Sequence, residues 1–260
     1  MKLSAERRWL LGATSIIVVL AVWEMSARLH LFAIKDFPSP TEVAARIVEL
    51  RTELAIEMMH TLKRAMIGLL LAILTMIPFG VAIGRSRALA RVVEPIVELL
   101  RPLPTPAIIP LMMLIAGIGD AAKVLVIFYA AAFPILLNAI DGARGLHPSL
   151  ALAAKSLRLS SFEAAMLVFM PATLPQIMAG VRISVSVSIL VSITAEMLLS
   201  TDGMGIFLLR SQEHFRLVDG IAGLVVLAFV ALAINKIYLA IDYRVLNWRH
   251  QTVGARNSPI

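Results

Sequence analysis

Leu174-Pro-Gln-Ile-Met-Ala-Gly-Val-Arg-Ile-Ser-Val-Ser-Val-Ser-Ile-Leu-Val-Ser-Ile-Thr-Ala-Glu-Met-Leu-Leu-Ser200 is the stretch on which the fold turns. A helix that crosses a bilayer needs about 20 predominantly apolar residues, and this run exceeds that. Only Arg182 and Glu196 within it carry charge at neutral pH. Part of its polar and small-residue content forms a line in which Gly180, Ser184, Ser188 and Ser192 lead up to Glu196 at four-residue spacing. Residues four apart share a helix face, and the line drifts by about 40° per step because a turn takes 3.6 residues. Small residues let neighbouring helices approach closely. An ionisable group inside a span is costly unless it is paired or faces water. Two roles for Ser184, Ser188, Ser192 and Glu196 are therefore open. They line a water-filled path, or they form a packing seam that ends in a capped carboxylate near the outer surface. Asn138, on a neighbouring run, is a weaker candidate for the path.

Five further apolar runs surround this one: Trp9–Ala27, Leu62–Gly84, Pro106–Gly119, Ala121–Ile140 and Gly220–Ile241. Composition agrees, with 59% hydrophobic and 16% charged residues over 260 positions. Soluble domains run at roughly 45–50% apolar and about 25% charged. Two soluble domains would suit the length but not these numbers. The expected fold is all-α, a polytopic membrane protein with six transmembrane helices.

Lys2, Arg7 and Arg8 precede the first run as in a signal peptide, but Trp23-Glu24-Met25 offers no small-residue cleavage site, so a retained anchor is expected. Ser39, Pro40 and Glu42 form a helix-start signal in which side chains satisfy free backbone N–H groups. Val43, Ile47, Leu50 and Leu54 then mark an amphipathic helix lying on the membrane or on the other spans. Prolines 102, 104 and 106 forbid a regular helix, so the short third run should be entered from an extended segment. Irregular backbone at that depth needs cover from protein or water. The chain divides into an anchor with its amphipathic helix (1–57), a membrane domain (58–243) containing a long loop (141–174), and a tail (244–260).

Lys and Arg set the orientation. With six spans, both termini share a side with the second and fourth loops, which hold Arg85, Arg87, Arg91, Arg101, Arg144, Lys155 and Arg158. That side outweighs the other in basic residues, so both termini are expected in the cytoplasm. The formal charge of +7 is thus read as a mark of cytoplasmic loops rather than of nucleic-acid binding.

Motifs for chemistry are missing. No phosphate-binding G-x-x-x-x-G-K-[ST] and no H-E-x-x-H occur, and the five histidines (30, 60, 147, 214 and 250) are scattered through loops and span edges. The absence of cysteine removes disulfides, thiolate zinc sites and cysteine nucleophiles. No catalytic residue and no metal ligand set is assigned, and the chain is not read as an enzyme.

The loop 141–174 is too polar to span and too apolar for a free linker, so it wants a groove in its own protein or in a partner. It resembles the EAA loop of ABC-importer permeases, whose pattern is E-A-A, a glycine six residues after the Glu, and then I-x-L-P. Aligned on Val168-Phe169-Met170-Pro171, the E-A-A falls on Leu152-Ala153-Ala154 and the glycine on Arg158. The literal Glu163-Ala164-Ala165 does not fit, because Arg182 rather than a proline stands nineteen residues on from Glu163. Phe37-Pro38-Ser39-Pro40-Thr41, Arg101-Pro102-Leu103-Pro104, Gly117-Ile118-Gly119-Asp120, Phe133-Pro134, Leu174-Pro175, Gly180-Val181-Arg182 and Ala195-Glu196-Met197 follow in order. Together they resemble the branch that imports nitrate, taurine and alkanesulfonates.

That resemblance implies the type I ABC-importer permease fold and a job in transport across the inner membrane. Two copies, as a homodimer, would form the pathway. Two cytoplasmic ABC ATPase subunits would drive it, holding the ATP and Mg, with no cofactor in this chain. A periplasmic binding protein would deliver a small, sulfonate- or nitrate-like solute. Leu152, Ala153, Ala154, Arg158 and Pro171 would belong to the segment that meets the ATPase. Other classes remain: a membrane sensor or assembly protein, or a secondary transporter, which should show more intramembrane charge and a repeat between halves.

Overall fold

The computed structural model describes residues 5–29 and 37–247, and the side chains of 5–10, 12 and 13 are not described. Lys2, His30, Lys35, Arg249, His250, Arg256 and the tail from residue 248 lie outside the described residues, as do the side chains of Arg7 and Arg8. The described residues are helical, with no strand among them. In chain order they form α1 (Ala5–Arg28), α2 (Pro40–Glu49), α3 (Arg51–Arg85), α4 (Arg87–Leu100), α5 (Thr105–Ala116) and α6 (Asp120–Arg144). There follow α7 (Pro148–Ser156), α8 (Ser161–Ala164), a π-helical turn (Ala165–Phe169), α9 (Met170–Leu199), α10 (Met204–Glu213) and α11 (Leu217–Val245).

Among the described residues, α3, α6, the continuous stretch from α8 through α9, and α11 are each long and apolar enough to cross a bilayer. The pair α4 and α5 makes a fifth span that is bent by 107° at its break. The expected first span falls in α1, which is 24 residues long.

Three expectations shift. The second span was placed from Leu62, but α3 already begins at Arg51 and runs for 35 residues, because nothing between residues 51 and 77 breaks a helix. The amphipathic helix is correspondingly short: α2 ends at Glu49, and Leu54 lies on α3. The division at residues 57 and 58 thus falls within α3. The third span is a broken helix rather than an extended entry. Pro104 caps α5 and Pro106 sits in its first turn, where a missing N–H leaves nothing unsatisfied. The stretch read as a cytoplasmic loop before it is largely α4.

α6 lies between α3 and α9 and forms the centre of the bundle. Leu69 and Ala72 of α3, Ala131, Ile135 and Ala139 of α6, and Ile177, Val181 and Val185 of α9 make the main core. Gly80 and Gly84 set the spacing of α3 on α6. A Cβ on Gly80 would sit 2.6 Å from the Ala139 Cβ, and one on Gly84 2.6 Å from the Ile140 carbonyl oxygen. This close backbone contact replaces the hydrophobic drive that is missing between helices in lipid. α4 covers the Arg144 half of α6 with Ala90 and Val97 against Leu136 and Ile140. α5 covers the Asp120 half with Ile109 against Val126 and Ile127. Leu74, Phe229 and Leu232 point outwards, as a bilayer solvent allows. α1 is tied to the chain entering α2 by Trp23 Nε1, which donates to the Pro38 carbonyl at 3.1 Å, and by the Thr41 hydroxyl, which donates to Glu24 at 2.9 Å.

Candidate functional site

At the end of the bundle that carries α10, the helices α3, α9 and α10 converge on one carboxylate. Glu196 of α9 is fully buried. It accepts from the Thr61 hydroxyl at 2.8 Å, Arg64 Nη1 at 3.0 Å, the Gly205 backbone N–H at 3.0 Å and the Ser192 hydroxyl at 3.4 Å. Arg64, 3% exposed, spends its other donors on Asp120 at 2.8 Å and on the Asp202 carboxylate. Lys123 ties Asp120 to the Ser200 hydroxyl, at 3.1 and 2.8 Å. The cluster follows from helix ends as much as from charge. The first N–H groups of a helix have no partner within it and attract negative charge. Here Gly203 N–H donates to Glu57, Met204 N–H to the Thr61 hydroxyl at 2.9 Å, and Gly205 N–H to Glu196. Side chains of α3 and α9 therefore cap α10. Gly203 has φ +102°, and a Cβ there would lie 2.4 Å from the Glu196 Cδ, so only glycine fits. In the loop before it, the Arg64 guanidinium holds the Asp202 carboxyl below its ordinary range. No buried side-chain nitrogen or oxygen among the described residues lacks a partner.

The small-residue line continues from Glu196 along α9 as a buried seam. Ser184 donates to the Ala131 carbonyl of α6 at 2.7 Å, and Ser192 to the Thr61 carbonyl of α3 at 3.2 Å. Ser188 bonds within its own helix, to Val185, at 2.9 Å. All three are at most 2% exposed. Of the two roles left open for Ser184, Ser188, Ser192 and Glu196, the seam is the one this geometry favours. Asn138 is half-buried and occupied, donating to the Pro134 carbonyl at 2.8 Å and accepting from Gln176 of α9 at 3.1 Å. Thr61, Arg64, Lys123 and Asp202 were not singled out from sequence, and Asp120 entered only as the end of the Gly117–Asp120 motif. The available signal was Arg64 itself, a charge beside an apolar run that needed an acid.

At the opposite end, the segment 145–170 has a plan of its own. His147 caps α7, with Nδ1 accepting from Ser149 N–H at 3.2 Å. Leu152 is 64% exposed and Ala153 is exposed, whereas Ala154 turns into its own chain at 4%. Arg158 stands at φ +54°. This is the left-handed conformation that glycine adopts freely and that costs other residues roughly 1–2 kcal/mol. Glu163 has a local role: it bonds the Ser160 N–H at 2.8 Å while Ser160 accepts from Glu163 N–H at 3.2 Å, a capping box that starts α8. The π turn follows, with the Arg85 guanidinium 4.1 Å above the Phe169 ring, and Pro171 lies in the first turn of α9. Leu157 and Phe162 are 70% and 71% exposed, so this segment presents apolar side chains away from the bundle.

Residues 76–248 match the model of the family described as binding-protein-dependent transport system inner membrane component. This chain belongs to that family. It is therefore a multi-pass permease subunit of an ABC importer, of the nitrate, taurine and sulfonate branch. The taurine transport system permease protein TauC of Escherichia coli is 31% identical over 251 residues, covering 94% of this chain and 91% of that protein. The nitrate import permease protein NrtB of Synechococcus elongatus is 28% identical, covering 94% of this chain and 88% of that protein. Among solved structures, the inward-facing MetNI methionine ABC transporter shares the fold with a TM-score of 0.65. That match has 19% identity and covers 72% of this permease and 93% of the other chain.

Proposed function

We propose that this permease carries a small oxyanion-bearing solute inwards as one half of a homodimer. Two ATPase subunits engage the α7 end from the cytoplasm, and a binding protein delivers solute at the α10 end. ATP and Mg reside in the ATPases, and this chain neither hydrolyses nucleotide nor holds a cofactor. Both termini face the cytoplasm. The basic residues Arg85, Arg87, Arg91, Arg144, Lys155 and Arg158 support that orientation, because they gather towards the α7 end. The TauC and NrtB relatives support a sulfonate- or nitrate-like cargo.

The observation that carries this reading is the exposed α7 segment. It offers Leu152, Ala153, Leu157 and Phe162 to a groove, and it continues through the π turn into the 30-residue α9. A coupling element must pass displacement into the spans without absorbing it. Because Ala154 is turned inwards, Ala153 is the position that tests contact with a partner. Ala153→Asp should insert and melt like the parent but lose ATPase on co-purification, or hydrolyse ATP without uptake. Unchanged solute uptake by this variant would overturn the assignment.

A further inference from the structure

The polar residues of the α9 line are paired, but some charged side chains elsewhere in the bundle are not. α4 and α6 run antiparallel, and between them lies a cavity of about 450 Å³. One wall is the α4 stripe that ends at the break in the third span, with Glu94, Glu98 and Arg101; the other is α6, with Leu137, Asp141 and Arg144. At the α7 end, Glu94 and Arg144 pair with each other. Above them, Glu98, Arg101 and Asp141 are exposed and make no ion pair or side-chain hydrogen bond among the described residues.

Depth makes this unusual. The Tyr129 hydroxyl donates to the Leu100 carbonyl at 2.5 Å, next to Arg101. Tyr129 lies about 14 Å along α6 from Asp120 at 1.5 Å per residue. Arg101 therefore leaves the backbone near the middle of the membrane. With no acid partner in its own protomer, a guanidinium there calls for a water-filled space, and intramembrane charge of this kind marks a solute route. The charges have both signs. Arg101 presents a fork of donors for an oxyanion, while Glu98, one turn away on the same face, and Asp141 across the cavity are acceptors for an ammonium group.

We propose that this cavity binds a small zwitterion, with Arg101 on its oxyanion and Glu98 and Asp141 on its ammonium group. Resting on the transport reading above, it is a station on the cytoplasmic half of the path. The same chemistry could come from the transported solute or from a phosphatidylethanolamine headgroup, and the experiment separates the two sources.

The chain has no cysteine, so a single introduced thiol is the only one in the permease, and its labelling is read on the permease band. Leu137→Cys, or Pro102→Cys should the first fail to fold, is placed in the permease–ATPase complex in phosphatidylcholine nanodiscs. Thiol labelling is then timed with millimolar 2-aminoethanesulfonate, or with 2-hydroxyethanesulfonate, which lacks the ammonium. The aminosulfonate should slow labelling several-fold and the hydroxy analogue should not. Arg101→Gln should raise the aminosulfonate concentration needed for that protection by about tenfold, the worth of one charge-assisted hydrogen bond. Glu98→Gln combined with Asp141→Asn should do the same. Protection that needs phosphatidylethanolamine in the disc instead of added solute, and that Arg101→Gln also abolishes, assigns the station to the lipid headgroup. Protection by neither, equal protection by the hydroxy analogue, or protection that survives Arg101→Gln overturns the proposal. ATPase retention during purification reads the transport assignment separately from this one.

Discussion

Replacing Glu196 with alanine should lower the melting temperature of the solubilised permease by about 10 °C while leaving its topology intact. The change takes the acceptor from three donors in a buried site: the Thr61 hydroxyl, Arg64 Nη1 and the Gly205 N–H. Removing one partner of a buried ion pair costs about 3–5 kcal/mol. Some of that is recovered here. Arg64 keeps Asp120 and Asp202, and the Thr61 hydroxyl keeps the Glu57 carbonyl at 3.2 Å. The lower end, about 3 kcal/mol, is therefore expected, and each kcal/mol is worth about 2–4 °C in a chain of this size. Glu196→Gln retains an acceptor oxygen and should lose roughly half as much. Arg64→Ala should be worse than Glu196→Ala, since it leaves a fully buried carboxylate without its cation, and the double variant should show a coupling of about 1–3 kcal/mol. Fluorescence-detected thermal melts alongside solute uptake provide the measurement. A Glu196→Ala protein that melts like the parent yet no longer transports would refute the structural role and restore Glu196 to the path wall.

Three more outcomes follow from the same geometry. Arg158→Gly should stabilise the α7 segment by about 1 kcal/mol by relieving the left-handed residue, seen as slower proteolysis there, whereas Arg158→Ala should bring no gain. Gly203→Ala should destabilise by roughly 1–3 kcal/mol, because its Cβ meets Glu196 and its φ is unfavourable; a melt equal to that of the parent would contradict the capping arrangement. Asp202, whose folded pKa is depressed below 3.8, contributes stability above about pH 4 that is lost as the pH falls through the lower folded value. Melting temperature should thus be flat from about pH 7 to 5 on this account and fall in stronger acid, with a shallower fall in Asp202→Asn. Because Asp202 is 40% exposed, solvent screening keeps the effect small.

The apolar runs were legible because lipid imposes a simple rule on length and composition. The helix-start signal at Ser39 was legible because it is local, and the structure repeats it with Ser39 accepting from Glu42 N–H and Glu42 accepting in return. α4 was missed because its charges read as loop, although Ala90, Val93 and Val97 already repeat at helical spacing towards Ile83 and Leu136. Nor was α10 anticipated, since it is short and its first turn is capped from other helices. Glu196 could be singled out in the sequence as a costly group, but its partner Arg64 lies 132 residues away. Only the tertiary fold states that the two meet, and no periodicity encodes it. The same is true of Arg101: the prolines around it signal a break, while its lack of an acid partner is a fact of packing.

These contacts also locate where the protomer can deform. α3, α6 and α9 are locked by glycine-spaced backbone contact along their length and by the Arg64–Glu196 cluster at one end. Sliding α9 past α6 would drag Ser184 off the Ala131 carbonyl and Gly180 off Pro134, leaving buried polar groups unpaired. A push delivered through α7 is thus more cheaply met by moving the three helices as one block than by shearing them. Two of the points where the backbone ladder is already interrupted lie outside that block: the turn between α4 and α5, and the π turn before α9. The first of these carries Arg101. A displacement of the block against α4 would open or narrow the α4–α6 cavity, and it would strain the Glu94–Arg144 pair and the Tyr129–Leu100 hydrogen bond that join the two helices.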